Sequence, residues 1–553
     1  MTIKNSKFIR FILLSLLFGA LSCLFVIPFF KLHYVPMGDD FKFHFDRLLD
    51  LSHNFRHLNF YPELATYGFQ KSAYPLNAFY PWVTLIPFGL ILALIHNKIY
   101  AVALGIIFYL FVGLWITYIT TDRLFKNKLQ AIITAIVYIF SEYTTSNIIA
   151  RFDLGEFFAM LFMPLVLYGL YAVTFGNSRD WPFLAWGGAL ICLSHVLSTF
   201  ILVAFVVLIL LIVFQKLPHK VKTLKSLMKA GILAFGISAI WILPFLRIQF
   251  SAQYSGMKGI ILGYPLSQVI NTSISSAVLA PNLWNKLYGI GILDVIILIM
   301  GLVQYKKLSN VSKTSFIIAI ITLIMSSTTF PWRFFNNTFI SCIQYSFRML
   351  SLCTPFTAIV GGELSTRFVT QRHDINYQRI IGILTGIFIL WVGGYYQFFQ
   401  PNGFLGKMRN TQSAFPITQT SFSLNEYTPL SEQKAVPNVI QHTAAINGRK
   451  VNLSSYEIKN THNGELFDNK LINASKDVSL PVIFYKHIFK VYRNNHQIPV
   501  TNKNGQVHIS HGSGPIRLAY NFGLFDMIGI ILTLISSLIL SPIILYRMNK
   551  LNG

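Results

Sequence analysis

The chain has 553 residues, 54% of them hydrophobic and only 12% charged, with a mean hydropathy of +0.54. A composition this apolar excludes an ordinary soluble domain and indicates a polytopic membrane protein. Lys and Arg outnumber Asp and Glu by 45 to 20, a formal net charge of +25. Most of the basic residues fall in short loops between apolar runs, a pattern of membrane topology and anionic lipid rather than of nucleic acid.

Lys4, Lys7 and Arg10 precede an apolar run, as in a signal peptide, and Ala20-Leu-Ser-Cys23 has the form of a lipoprotein cleavage site. The run continues to Phe30, too long for a signal, so residues 8–30 read as an uncleaved membrane anchor. Directly after it comes Met37-Gly-Asp-Asp-Phe-Lys-Phe-His-Phe-Asp-Arg47. If Asp40 opens a helix, Asp40, His44 and Arg47 share one face. A carboxylate at a helix N-terminus is favoured by the dipole and is expected to stay ionised. The alternative is a solvated turn after a membrane helix. Residues 41–73 carry Phe41, Phe43, Phe45, Leu48 and Phe55 among charges and read as interfacial helices.

Residues 79–95 and 100–120 are both apolar. If both crossed, the basic loop from Arg123 to Lys128 would lie outside, so only 100–120 is assigned as a span. The stretch 79–95, with Pro81 and Pro87 in it and Pro75 nearby, then packs at the outer face. The other expected spans are 129–143, 157–175, 182–194, 197–214, 229–245, 287–304, 314–327, 341–361, 379–397 and 523–546. With that one assumption every later basic loop falls inside. The expectation is an α-helical polytopic protein of about twelve crossings with both termini cytoplasmic.

The segment 399–521 is polar and rich in Asn, Ser and Thr. Alternating stretches, Val482–Arg493 and Gln506–Ser510, lie among Asn494-Asn495, Asn504-Gly505 and Gly512-Ser-Gly514, read here as hairpin turns. A small external β domain is expected there, held between a membrane domain over 1–398, with its first outer loop at 31–98, and a final helix over 522–553. Cys23, Cys192, Cys342 and Cys353 all lie in apolar segments, so neither a disulfide framework nor a metal spacing is visible.

The chain's few acids cluster in the first two outer loops: five between Asp39 and Glu63, and then Glu142, Asp153 and Glu156. Arg151 accompanies the second group, although its five-residue separation from Glu156 does not by itself favour a helical pair. A cap and salt bridge anchoring the next helix is the plainer reading. His195 stands at the outer end of a tight hairpin, either at a site or as a helix-end histidine. Arg348, in Gln344-Tyr-Ser-Phe-Arg348, lies in the outer half of an expected span, where a charge needs a polar cavity or an anion. Asp294 is a second intramembrane charge, and a structural pair with Arg348 is the alternative.

Two carboxylate loops beside an embedded arginine suit a lipid phosphate. A prenyl-phosphate sugar carries its own leaving group, so one carboxylate must deprotonate the acceptor hydroxyl and cations must hold the departing phosphate. No phosphate-binding glycine loop, nucleophile elbow or zinc-binding helix motif is present. No cofactor is required by the sequence, and use of a divalent cation stays open.

The chain resembles bacterial YfhO-type membrane proteins, within the GT-C class of membrane glycosyltransferases. The resemblance rests on Gly38-Asp-Asp40 with His44 and Arg47, on Tyr74-Pro-Leu-Asn-Ala-Phe-Tyr-Pro81, and on Arg151 to Glu156 with Pro164. Ser194-His195, Gln344 to Arg348, Glu426-Tyr-Thr-Pro429 and, more loosely, Leu480-Pro481 complete it. It implies a GT-C fold, a catalytic base at Asp40 with Asp39 at a variable position, and a lipid-linked donor entering from the bilayer. Substrate binding would fall to His44, Arg47, Arg151, Glu156, His195 and Arg348, with no metal ligand. The implied activity is transfer of a sugar from a polyprenyl-phosphate donor to a cell-surface glycan such as teichoic acid. A lipid or polysaccharide transporter and a non-catalytic glycan-assembly protein are the competing readings. A transporter would more often show repeats and broken helices at the bilayer midplane, and none is visible.

Overall fold

A computed structural model describes residues 3–254, 259–275, 286–371, 374–398, 409–411 and 427–549. Each expected span contains a helix. We label α1 Ile3–Leu32, α2 Phe41–Arg56, α3 Ile86–Leu94, α4 Lys98–Phe125, α5 Lys128–Ile139, α6 Leu154–Thr174 and α7 Trp181–Cys192. The series continues with α8 Val196–Val213, α9 Lys220–Gln249, α10 Ile292–Val303, α11 Asn310–Met325, α12 Leu350–Val369, α13 Tyr377–Phe398 and α14 Leu524–Asn549.

Among the described residues, seven helices are long and apolar enough to cross a membrane: α1, α4, α6, α8, α9, α13 and α14. Read as one span, α5 and the stretch Glu142–Arg151, bent by 42° between them, would bring the count to eight. The helices in the remaining expected spans, α7, α10, α11 and α12, do not meet that test. The apolar stretch Val83–Leu94 is also short. At about 1.5 Å per residue it reaches about 18 Å, well under the roughly 30 Å of a bilayer core. It packs on α2 and α4, and Arg56 caps its end by donating to the carbonyls of Leu92 and Ala93 at 3.0 and 2.8 Å. Helix α2 departs from expectation. Phe41, Phe45, Leu48 and Leu51 are fully buried, so the helix packs into the protein core and does not lie in a bilayer interface. Its Asp50 accepts from the backbone N–H groups of Thr66, Tyr67 and Gly68 at 2.8–3.0 Å and folds the following loop back over it.

A short strand β1, Tyr34–Pro36, pairs antiparallel with β2, Arg409–Thr411. The β domain follows, with β3 Thr443–Ile446, β4 Arg449–Asn452, β5 Ile458–Thr461, β6 Gly464–Phe467 and β7 Val478–Ile483. It is completed by β8 Phe489–Arg493, β9 His496–Ile498, β10 Thr501–Lys503, β11 Gln506–Ile509 and β12 Ile516–Tyr520. Two five-stranded antiparallel sheets result, in the orders β9-β8-β12-β6-β5 and β10-β11-β7-β3-β4. Asn494-Asn495 and Asn504-Gly505 form two-residue hairpins with positive φ at both positions, as their composition predicts. Gly512-Ser-Gly514 does not form a hairpin: it carries the chain from β11 in one sheet to β12 in the other. Val482–Arg493 is likewise not one strand but the end of β7, a crossover and β8.

The β domain shares a hydrophobic core with the segment between α2 and α3, where Leu64, Phe69, Tyr74 and Phe79 join Val439, Leu480, Val482 and Val507. Asn463, at a hairpin turn, accepts from the N–H groups of Glu63 and Leu64 and donates to the Tyr61 carbonyl. Where α14 begins, buried Asp526 takes Arg247 at 2.8 Å and the hydroxyls of Tyr520 and Tyr61 at 2.6 and 3.2 Å. These contacts fix the β domain to the helices from two sides.

Candidate functional site

The acidic loops before α2 and before α6 are joined through their backbones. The N–H groups of Asp39 and Asp40 donate to the carbonyls of Ala150 and Arg151 at 3.1 and 2.7 Å. The approach requires Gly38, because a β-carbon there would stand 2.5 Å from the Ala150 oxygen and 2.8 Å from the carbonyl carbons of Ala150 and Arg151. Asp40 is thereby delivered to the N-terminus of α2 and to the side of Arg151.

The second loop is built by an unusual local winding. Asn147–Arg151 forms a single π turn, and Phe152 closes it at φ 56°. Asp153 then caps α6, accepting from the Glu156 N–H at 3.0 Å. This winding brings Arg151 back onto residues that its sequence spacing would not reach. Its guanidinium meets Asp153 at 2.6 Å, Glu156 at 2.8 Å, the Asn147 amide at 2.5 Å and Asp40 at 3.9 Å. Glu156 also accepts from the Tyr143 hydroxyl at 2.5 Å and lies 3.8 Å from Arg348. The expected helix anchor at Arg151 and Glu156 is present, and it is part of a wider network.

Charges in this cluster are unevenly shared. Burial opposes ionisation of Asp153, but Arg151 and then the His44 hydrogen bond hold its carboxyl well below the usual carboxylate range. Burial, with the Asp153 charge added, pushes Asp40 up to about 7 against the pull of Arg151. The proton resides on the acid farther from the arginine. The expectation of a carboxylate that simply stays ionised is corrected: Asp40 titrates near neutrality because burial disfavours its charge and the Asp153 carboxylate adds to that. Its side chain keeps 37% of its surface, so the proton can exchange with a ligand or with solvent.

His44 and Arg47 follow on α2 but point to different partners. His44 is buried with Nε2 3.4 Å from Asp153, and burial lowers its pKa despite that acid. Arg47 donates to the Pro81 carbonyl at 2.5 Å and lies 4.0 Å from the centre of the Tyr80 ring. Tyr80 also packs edge-on against His44 and near His195. His195 behaves as a helix-end residue: its Nδ1 lies 2.8 Å from the Ser198 hydroxyl and caps α8. Arg47 and His195 therefore shape the wall of the cluster.

Arg348 differs from expectation. It lies not within a transmembrane helix but in a short 3-10 turn, Ser346–Met349, and α12 starts only at Leu350. Gln344 has a φ of 62°, yet its Oε1 still accepts from Arg348 Nη2 at 3.0 Å. Arg348 does not pair with Asp294. Both Asp294 carboxylate oxygens lack a hydrogen-bond partner among the described residues, and so do Nε and Nη1 of Arg348. Glu426, in the resembling motif, lies outside the described residues.

Two features were not anticipated from sequence. Lys286, a few residues before α10, reaches Asp39 at 3.0 Å. Asp153, noted among the second-loop acids, is the partner that fixes both His44 and Arg151. An apolar groove of about 1130 Å³ is lined by residues of α4, α5, α6, α8, α11 and α12. Ile343 and Met349 also line it and bracket Gln344 and Arg348 in sequence. Among the described residues no group of three or more His, Cys, Asp or Glu side chains is arranged to hold a metal ion.

No family model matches the chain, and no curated protein matches it. Among solved structures, the cryo-EM structure of the arabinofuranosyltransferase AftD from Mycobacteria is similar over 69% of this chain and 26% of that one, with 13% identity and a TM-score of 0.44. The chain thus spans about a quarter of that protein's length.

Proposed function

We propose that the chain is a membrane glycosyltransferase of the GT-C class and YfhO type, moving a sugar with inversion from a polyprenyl-phosphate donor to a cell-surface glycan. The observation that carries this reading is a partly exposed acid titrating near neutrality, Asp40, and an incompletely satisfied buried arginine, Arg348, in one charge cluster, with the sequence neighbours Ile343 and Met349 of that arginine lining a large apolar groove. A prenyl chain suits the groove. Its phosphate suits Arg348, whose Nε and Nη1 lack a hydrogen-bond partner among the described residues.

In the proposed reaction the acceptor hydroxyl attacks the anomeric carbon as the bond from that carbon to the phosphate oxygen breaks. The hydroxyl proton passes to the Asp40 carboxylate, and the electron pair leaves with polyprenyl phosphate. The phosphate is a good leaving group, so no general acid is needed. Arg151 acts as a positioning residue, bound by Asp153 and Glu156 and orienting Asp40. Asp39, held by Lys286, serves the rim and not the proton transfer. The reading places residues 31–98 and the β domain of 399–521 outside the cell, the membrane domain over 1–398 and the final helix in 522–553, with both termini inside.

Comparing envelope glycans of a deletion strain with those of the same strain complemented by the parent chain tests it. Loss of one glycosyl substituent on deletion, restored by the parent, supports the reading. An unchanged glycan profile on deletion contradicts it.

A further inference from the structure

We infer that a second cavity, bounded by Tyr264, Lys286, Tyr288, Tyr345, Ser346 and Phe347, binds one uncharged sugar ring. Calling that ring the acceptor rests on the transferase reading; the binding itself does not. The cavity measures about 280 Å³. That is at the lower end of small-molecule sites, about 300–1,000 Å³, and suits one polar ring better than a lipid or an oligosaccharide. It shares no lining residue with the apolar groove.

Its location ties it to the acids. Lys286 lines the cavity and holds Asp39 at 3.0 Å. Tyr288 and Phe347 meet edge to face at 4.7 Å, and the Arg151 guanidinium lies 5.8 and 5.1 Å from the same two rings. The two rings therefore border both the cavity and the charge cluster that contains Asp40.

The chemistry of the lining selects a neutral sugar. Aromatic faces carry partial negative charge and receive the polarised C–H face of a sugar ring. The Tyr288 hydroxyl is buried and makes no hydrogen bond among the described residues, a costly state that a sugar hydroxyl would relieve once the ring turns it into the cavity. Near the rim two acids, Asp39 and Asp40, are matched by two cations, Lys286 and Arg151, so the surroundings leave no net charge for a phosphate or uronate to neutralise.

The test is saturation-transfer NMR and titration on the purified full-length chain with methyl hexopyranosides, methyl N-acetylhexosaminides and methyl phosphate. The expected result is saturable binding of at least one glycoside and none of methyl phosphate. Tyr288→Phe should weaken that binding about three- to tenfold, as for loss of one hydrogen bond, and Tyr345→Ala more. Absence of glycoside binding, binding unaffected by both substitutions, or preferential binding of methyl phosphate would overturn the proposal. The outcome is separable from the transferase reading. Glycoside binding with unchanged envelope glycans on deletion leaves the sugar site standing and removes the enzyme; altered glycans with no glycoside binding do the reverse.

Discussion

Asp40 and Arg151 are joined twice: the Asp40 N–H donates to the Arg151 carbonyl at 2.7 Å, and the two side chains approach to 3.9 Å. The longer side-chain contact matters because Asp153 holds the same guanidinium at 2.6 Å. A base whose pKa is about 7 gives a defined pH profile. Transfer should rise with pH through about 7 and level off above it, since only the ionised carboxyl accepts the proton. Stability should move the opposite way. The folded pKa lies above the ordinary value of 3.8, so between those values the folded chain binds more protons than the unfolded one, and stability falls as pH rises. Asp40→Asn should therefore raise the melting temperature at pH 8 and lose that advantage by pH 4. A melting curve at each pH checks this, and equal shifts at both would contradict it.

Gly38 holds the seam between the two acidic loops. Gly38→Ala forces a β-carbon into the Ala150 and Arg151 backbone, which cannot yield as a flexible side chain would. Overpacking of this kind costs about 1–3 kcal/mol. Unfolding in denaturant should register that loss, and transfer should fall because Asp40 is carried away from Arg151. Parent-like stability would show that the two loops are not joined at this point.

Arg348 is expected to grip the donor phosphate. Arg348→Lys should weaken donor binding about tenfold and Arg348→Ala about a hundredfold, because lysine cannot form the bidentate pair. Asp294 provides the control: it is buried without a hydrogen-bond partner and apart from Arg348. Asp294→Asn should leave donor affinity unchanged and should not rescue Arg348→Ala. Rescue would restore the structural pairing of these two residues.

The topology can be read by cysteine labelling in a chain lacking Cys23, Cys192, Cys342 and Cys353. His96 and Lys128 are exposed and flank α4. A cysteine at His96 should react with an impermeant reagent from outside, and one at Lys128 should not. The inverse pattern would place Asp40 and Glu156 on the cytoplasmic side.

Seven of the expected spans were legible because a bilayer demands long apolar runs. Arg123 lies 3.7 Å from Asp180 and donates to the Arg547 carbonyl, which brings the ends of three helical segments together. The acids of the first two loops were legible as a group because eight of the chain's twenty fall there. What spacing could not convey was the π turn at Asn147–Arg151. Helical geometry separates Arg151 from Glu156, whereas the turn unites them. Lys286 gave no signal, because only the tertiary path of a long loop brings it to Asp39. Arg348 was misplaced in a helix because apolar residues surround it on both sides, and hydropathy does not register a 3-10 turn. The same blindness to tertiary paths made Gly512–Gly514 read as a hairpin, when its glycines turn the chain between sheets.

The account depends most directly on Asp40 as the proton acceptor. The decisive measurement is transfer of a radiolabelled sugar from a polyprenyl phosphate by the purified chain in liposomes, comparing the parent with Asp40→Asn and Asp39→Asn at equal folded amounts. The account predicts that Asp40→Asn loses about 10²- to 10⁴-fold in rate with donor binding intact, while Asp39→Asn loses far less. Near-parental transfer by Asp40→Asn would contradict it.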